Sequence, residues 1–223
     1  MDRRLFLALG GTGLVVAGGG LWLARPRGAT SPLPGMAEAQ EAPAEPAFDM
    51  VPDMVKGDPD APVEVIEYAS LTCPHCANFH FDVLPQLMEN YIEPGYVRYI
   101  HREVYFDRYG LWAAMLARCG DDSRYFPMLD LIYEHQQDWA GSNDPAQVAD
   151  NLRSLGRQSG LSGDEVDACM MDSDQAEAMV GVYQHYATEH EVNATPTFII
   201  DGEKHSNMSY EDFSALLDSR LEG

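Results

Sequence analysis

The sequence predicts an α/β fold in which a βαβ half and a ββα half are separated by an inserted all-helical block. Three observations predict it. An apolar run, Val63-Glu64-Val65-Ile66-Glu67-Tyr68-Ala69, leads into a helix start that carries Cys73-Pro74-His75-Cys76. A second strand-like run follows at 96–104, so one helix joins two strands, the arrangement of a parallel pair. Strand character then lapses from about Asp107 to His190 and returns at Pro196-Thr197-Phe198-Ile199-Ile200.

The chain opens with Arg3-Arg4-Leu5-Phe6-Leu7 and an apolar, glycine-rich stretch to Ala24, closed by Arg25-Pro26-Arg27. A basic start before an apolar run is an export signal. The arginine pair resembles a twin-arginine signal, although Asp2 stands where Ser or Thr is usual. No small-x-small site lies just after Ala24, and Leu5–Ala24 is also long enough to stay as a membrane anchor, so both fates stay open. Residues 1–27 are therefore read as signal or anchor. Residues 28–52, rich in Pro, Ala and Glu without apolar periodicity, read as a disordered linker. The sheet domain is assigned to 53–106 and 191–223, the helical insertion to 107–190.

Within the first half, Phe79, Val83 and Leu84 share one helical face. In the next strand Val97, Tyr99 and His101 alternate with Arg98, Ile100 and Arg102. The helical block shows apolar positions at helical spacing: Leu111, Ala114 and Met115, then Phe126, Leu129, Ile132 and Tyr133. Asp144-Pro145 starts a further helix lined by Val148, Leu152 and Leu155. Ser162–Glu165 and Asp174–Glu177 both have capping-box spacing. After the late strand, Asp201-Gly202 predicts a hairpin turn into Glu203-Lys204-His205. Ser209 opens a last helix carrying Phe213, Leu216 and Leu217.

The chain has 223 residues, and beyond Arg27 it carries 10 Lys and Arg against 35 Asp and Glu. Such a surface repels nucleic acid and favours solubility. An exported protein works where disulfides persist.

The cysteines carry the chemistry. Cys73 at a helix start meets backbone N–H groups that favour a thiolate, and a protonated His75 adds a second favourable charge. Pro74 fits the first helical turn. Cys76, one turn in, is expected to be more buried and to act as the resolving thiol. A zinc site needs two further ligands at suitable spacing, and Cys119 and Cys169 stand alone. A purely structural Cys73–Cys76 disulfide is the other plain reading.

The combination of CPHC after a strand, Thr195-Pro196 opening a late strand, the helical block between them and a final ββα resembles the DsbA-like thioredoxin-fold oxidoreductases over about residues 50–220. It is most similar to the DsbA-type proteins of alphaproteobacteria, which often carry a second cysteine pair in the helical domain. The resemblance implies that Cys73 is the nucleophile and Cys76 its partner, with Pro74 and His75 tuning the thiolate. It implies that Pro196 is a cis-proline against the active disulfide and that Thr195 offers backbone hydrogen bonds to a bound peptide. Glu67, six residues before Cys73, matches a buried acid beneath the disulfide that passes protons; the alternative is a solvated acid like Glu64. Thr195 stands where oxidases of the family often have Val and is shared with isomerases and some reductases. Cys119 and Cys169, both in the helical block, are expected to form a structural disulfide.

The function expected is an exported, periplasmic thiol–disulfide oxidoreductase that donates the Cys73–Cys76 disulfide to newly exported, reduced polypeptides through a mixed disulfide. By resemblance, a DsbB-like, quinone-linked membrane oxidase reoxidises it. It is expected to be a monomer, with no metal or organic cofactor beyond the redox-active disulfide and with membrane contact only through a retained N-terminus. Two alternatives stand. One is a reductase or isomerase kept reduced by a membrane electron donor. The other is a peptide-binding chaperone or maturation factor whose thiolates bind Cu(I).

Overall fold

The structure, a computed structural model, describes residues 46–222; the expected signal or anchor at 1–27 and the linker up to residue 45 lie outside the described residues. Five strands form one mixed sheet: β1 (Met54–Lys56), β2 (Val63–Ala69), β3 (Val97–Glu103), β4 (Thr197–Ile200) and β5 (Glu203–Ser206). Their order is β1-β3-β2-β4-β5, with β2 and β3 parallel and the other pairs antiparallel. β2 therefore lies between β3 and β4, with no open edge.

Alternation along these strands builds two buried faces. Val63, Val65, Val97, Tyr99, Phe198 and Ile200 pack with Phe79, Leu84, Phe213 and Leu217. On the opposite face Ile66, Tyr68, Ile100 and Ile199 meet Tyr183, Tyr186 and Val192. The first face is covered by a helical stretch from Pro74 to Ile92 and by α9 (Tyr210–Leu221). In that stretch α1 (Pro74–Asn78) and α2 (Leu84–Leu87) are each followed by a wider π-helical turn, Phe79–Val83 and Met88–Ile92. Pro85 supplies no N–H to the turn before it, and the wider turn accommodates the break.

Six helices separate β3 from β4: α3 (Arg108–Ala117), α4 (Tyr125–Glu134), α5 (Gln136–Ala140), α6 (Pro145–Gln158), α7 (Gly163–Met170) and α8 (Ser173–Glu189). Leu116, Leu129, Ile132, Val148, Leu152 and Val166 are fully enclosed among them. Each such side chain contributes roughly 1.5–3 kcal/mol of burial. Gly156 is required where α6 meets α7 and α3, since a Cβ there would lie 2.6 Å from Val166 Cγ2 and 2.9 Å from Leu116 Cδ1.

The helix starts follow local chemistry. Asp144 caps α6 ahead of Pro145, and Ser162 with Glu165 forms a complete capping box on α7. The second expected box is displaced: Asp172, not Asp174, caps α8 by accepting from Gln175 N. Asp201 and Gly202 both adopt positive φ, 48° and 83°, which joins β4 to β5 through the tight turn that Asp-Gly favours.

The expected linker 28–52 needs correcting at its end. Residues 48–50 form a 3₁₀ turn, Phe48 packs on His185 and Tyr186, and Val51 is buried. Gln175 and Arg118 donate to the Met50 and Pro52 carbonyls. These contacts replace water on the segment and lead it into β1, a strand too short to read from alternation. Among the described residues no helix is long and apolar enough to cross a membrane.

Candidate active site

Cys73 is the N-cap of α1, in extended conformation (φ −88°, ψ 119°), and Pro74 begins the helix. Its carbonyl accepts from Cys76 N at 3.1 Å and Ala77 N at 3.2 Å, which turns the chain into the helix. Cys73 is half-buried, Pro74 and His75 are exposed, and Cys76 is completely buried. Both thiols are free.

The two sulfurs differ sharply. The Cys73 thiol is lowered to about 5, chiefly because the Cys76 thiol donates to the Cys73 sulfur. Partial burial opposes this, while Thr195 and the backbone N–H groups of Cys76 and His75 add to it. The His75 amide is thus one of the donors to Cys73, and its ring is exposed. Cys76 moves the other way: burial raises its thiol far above the ordinary range, and the bond to Cys73 and the charges of Glu67 and Cys73 push it further. An ionised, accessible sulfur beside a protonated, buried one is the arrangement that thiol–disulfide exchange needs.

A second loop closes over Cys73. The Thr195–Pro196 peptide is cis, and the Cys73 Sγ lies 3.4 Å from the Thr195 carbonyl. Thr197 Oγ1 donates to the Ala194 carbonyl at 2.8 Å and braces this loop.

Glu67 lies on the central strand β2, on the face shared with Val65, and is only 2% exposed. The solvated alternative belongs to Glu64, which pairs with Arg98. Burial raises the Glu67 carboxyl to about 8, against a hydrogen bond donated by Tyr99 and with a further push from the Cys73 charge.

Several supporting residues carry no signature in the sequence. Gln136, at the start of α5 and buried, donates from Nε2 to the carbonyls of Leu71 at 2.8 Å and Cys73 at 3.1 Å. Thr72 Oγ1 donates to Asp107 at 2.9 Å, and Asp107 in turn caps α3 through Tyr109 N and Gly110 N. Both contacts join residues more than 30 positions apart, so only the fold reveals them. Cys119 and Cys169 lie elsewhere, joined by a disulfide with a Cα–Cα distance of 5.7 Å between the end of α3 and α7. Among the described residues no group of three or more His, Cys, Asp and Glu side chains is placed to hold a metal ion.

A family profile described as Thioredoxin matches residues 49–219. The crystal structure of alpha-DsbA1 from Wolbachia pipientis superposes with a TM-score of 0.68 at 30% identity, covering 75% of this chain and 89% of that one. The chain belongs to the DsbA-like thioredoxin family. Oxidised BdbD from Bacillus subtilis shares the fold, with a TM-score of 0.68 at 20% identity over 80% of this chain and 97% of that one. A Rickettsia bellii protein described as "Putative protein-disulfide oxidoreductase" is 32% identical over 171 residues, 76% of this chain. The match spans 65% of that relative's length. The helical insertion expected of a DsbA-like fold is thus the block α3–α8, and the thioredoxin core is the sheet with its flanking helices.

Proposed function

We propose that this chain is an exported thiol–disulfide oxidoreductase that gives its Cys73–Cys76 disulfide to reduced, newly exported polypeptides. The observation that carries the reading is the division between the two sulfurs: Cys73 acidic and reachable, Cys76 enclosed and protonated. Acidity of Cys73 stabilises the reduced form, because only that form has a thiolate. A protein stabilised when reduced gives its disulfide away readily.

A substrate thiolate attacks Cys73 in the disulfide. The Cys73–Cys76 bond breaks as the substrate–Cys73 bond forms, and Cys76 leaves and takes up a proton. A second substrate thiolate then attacks the substrate sulfur, forms the substrate disulfide and releases Cys73 as a thiolate. Glu67, buried and protonated at neutral pH, is the acid that serves Cys76. The Thr195–Pro196 loop is the platform on which the substrate backbone lies beside Cys73, with Thr195 presenting its polar backbone groups. The arginine pair and apolar run at the N-terminus support export to the periplasm. Reoxidation falls to a DsbB-like, quinone-linked membrane oxidase, and no cofactor beyond the disulfide takes part.

The test is the reduction potential of the Cys73–Cys76 pair in glutathione buffers, with Cys119 and Cys169 both changed to Ser. A value near about −120 mV is expected for a disulfide donor; one near about −270 mV overturns the direction and makes the protein a reductase.

A further inference from the structure

The loop that carries Thr195 and Pro196 leaves α8 through an uncommon turn. Val192 N donates to the Ala187 carbonyl at 2.7 Å, and Glu191 N donates to the Thr188 carbonyl at 3.3 Å. These paired bonds end a helix by placing one residue in the left-handed region, usually a Gly. Here that residue is Glu191, at φ 51°. A residue with a side chain keeps such a conformation only where its surroundings fix it.

Three contacts fix it. Val192 packs against the sheet face of Ile66, Tyr68, Ile100 and Ile199. Lys204, on the edge strand β5, donates to the Glu191 carbonyl. His190, the residue before the turn, has its Nδ1 2.6 Å from the hydroxyl of Tyr68 on the central strand β2.

The other partner of Tyr68 decides the direction of that last bond. Arg102 Nη1 donates to the Tyr68 oxygen at 3.1 Å, and a guanidinium can only donate. The Tyr68 proton therefore goes to His190 Nδ1. Burial holds the Tyr68 hydroxyl above its ordinary range and His190 below its own, so at neutral pH the first keeps its proton and the second offers a lone pair. Arg102 is itself held by both Asp53 oxygens at 2.7 Å and lies 3.5 Å over the Tyr186 ring. A row of direct contacts thus runs from Asp53, just ahead of β1, through Arg102 and Tyr68 to His190.

The row ends where the site begins. Tyr68 stands five residues before Cys73, and His190 stands five residues before Thr195. The two segments meet again at their far ends, where the Cys73 sulfur lies 3.4 Å from the Thr195 carbonyl. We propose that Tyr68 and His190 are positioning residues for disulfide donation: their bond fixes where the Glu191–Pro196 loop presents Thr195 beside Cys73, and so how well a polypeptide seats there. This rests on the reading of that loop as the substrate platform. Asp53 and Arg102 hold the other side of the Tyr68 hydroxyl, so the segment ahead of β1 bears on the same loop.

The experiment mixes oxidised protein with either a reduced dithiol peptide or dithiothreitol and takes the ratio of the two second-order rates. Dithiothreitol has no backbone to lie on the loop, so a general loss of stability does not lower the ratio. Tyr68→Phe and His190→Leu are each expected to lower it by about tenfold, the size of one lost hydrogen bond. The double variant is expected to be no lower than the lower single variant, because both residues serve one bond. His190→Asn, which keeps an acceptor near the place of Nδ1, is expected to restore the ratio. Single variants within twofold of the parent, losses that multiply in the double variant, or a His190→Asn ratio as low as that of His190→Leu overturn the proposal. His190 is half-exposed, so His190→Leu carries the test if the buried Tyr68→Phe does not fold. The parent protein is also given the same peptide N-methylated at the amides flanking its attacking cysteine. Slow oxidation of that peptide beside unmoved variants overturns the positioning role alone. Oxidation as fast as that of the unmethylated peptide overturns the platform reading and the positioning role together.

Discussion

The molecule holds two cysteine pairs, and their surroundings give them opposite tasks. Cys73 and Cys76 are two residues apart at a helix start, one half-buried and one enclosed, with their acidities driven apart. Cys119 and Cys169 are 50 residues apart and lie in the packed helical block, where their disulfide ties the end of α3 to α7. The first pair closes so small a loop that it restricts the unfolded chain little, and its value is chemical. The second closes a loop whose restriction is worth about 4 kcal/mol in the entropy model, and its value is mechanical. Spacing and burial, not the identity of the residue, set the difference.

The largest test of that contrast is catalytic. Cys73→Ser is expected to abolish disulfide donation to a reduced peptide, and Cys76→Ser, offered a disulfide-bonded peptide instead, to trap a mixed disulfide in which Cys73 has displaced one peptide thiolate, visible by mass spectrometry. The paired Cys119→Ser, Cys169→Ser variant is expected to keep donating at close to the parent rate. In the parent protein, alkylation of Cys73 is expected to reach half its maximal rate near pH 5; a midpoint near 9 breaks the contrast.

The next effect is on stability. Removing both Cys119 and Cys169 is expected to lower urea-unfolding stability by about 2–5 kcal/mol, whereas opening the Cys73–Cys76 disulfide is expected to stabilise the protein. An equal loss from both pairs would erase the distinction.

Glu67 sharpens it further. Its carboxyl is raised from 4.5 to about 8 in the folded, reduced protein. The folded state therefore binds a proton that the unfolded state has lost. The stability it contributes is fully present below pH 4.5 and is lost as pH rises to 8, at about 1.4 kcal/mol per unit. Glu67→Gln is expected to flatten that slope in reduced-protein unfolding measured from pH 4.5 to 8. No change of slope would place the acid outside the buried site.

The smallest effect belongs to Gln136. Gln136→Ala leaves the Leu71 and Cys73 carbonyls without that donor, and a loss of about 1–3 kcal/mol is expected in urea unfolding. Gln136→Glu is expected to be worse, since an ionised carboxylate has no donor for either carbonyl.

Much of this was legible in the sequence because it is local. Val63–Ala69 and the 96–104 run announced β2 and β3, Ser162 and Glu165 announced a capped helix, and Asp201-Gly202 announced its hairpin. The same alternation placed His101 on the face of Val97 and Tyr99, a sign that it is buried, although its partner Tyr125 lies on a helix 24 residues away. Asp172 displaced Asp174 as a cap because two acids near one helix start both fit the pattern. The three residues of β1 are too few to show a period, and their pairing with β3 comes from tertiary contact. Gln136, Thr72 and Asp107 escaped reading for the same reason: each is an ordinary polar residue until the fold brings its partner within reach.

The Gln136 contact has a bearing on engineering. One amide from the inserted block holds the carbonyl of the reactive cysteine and another two residues before it. Transplanting Cys73-Pro74-His75-Cys76 into a smaller scaffold that lacks the block would carry over the letters without the brace. The graft would keep two thiols yet lose part of what aims them, so the motif and the insertion are best treated as a single transferable part.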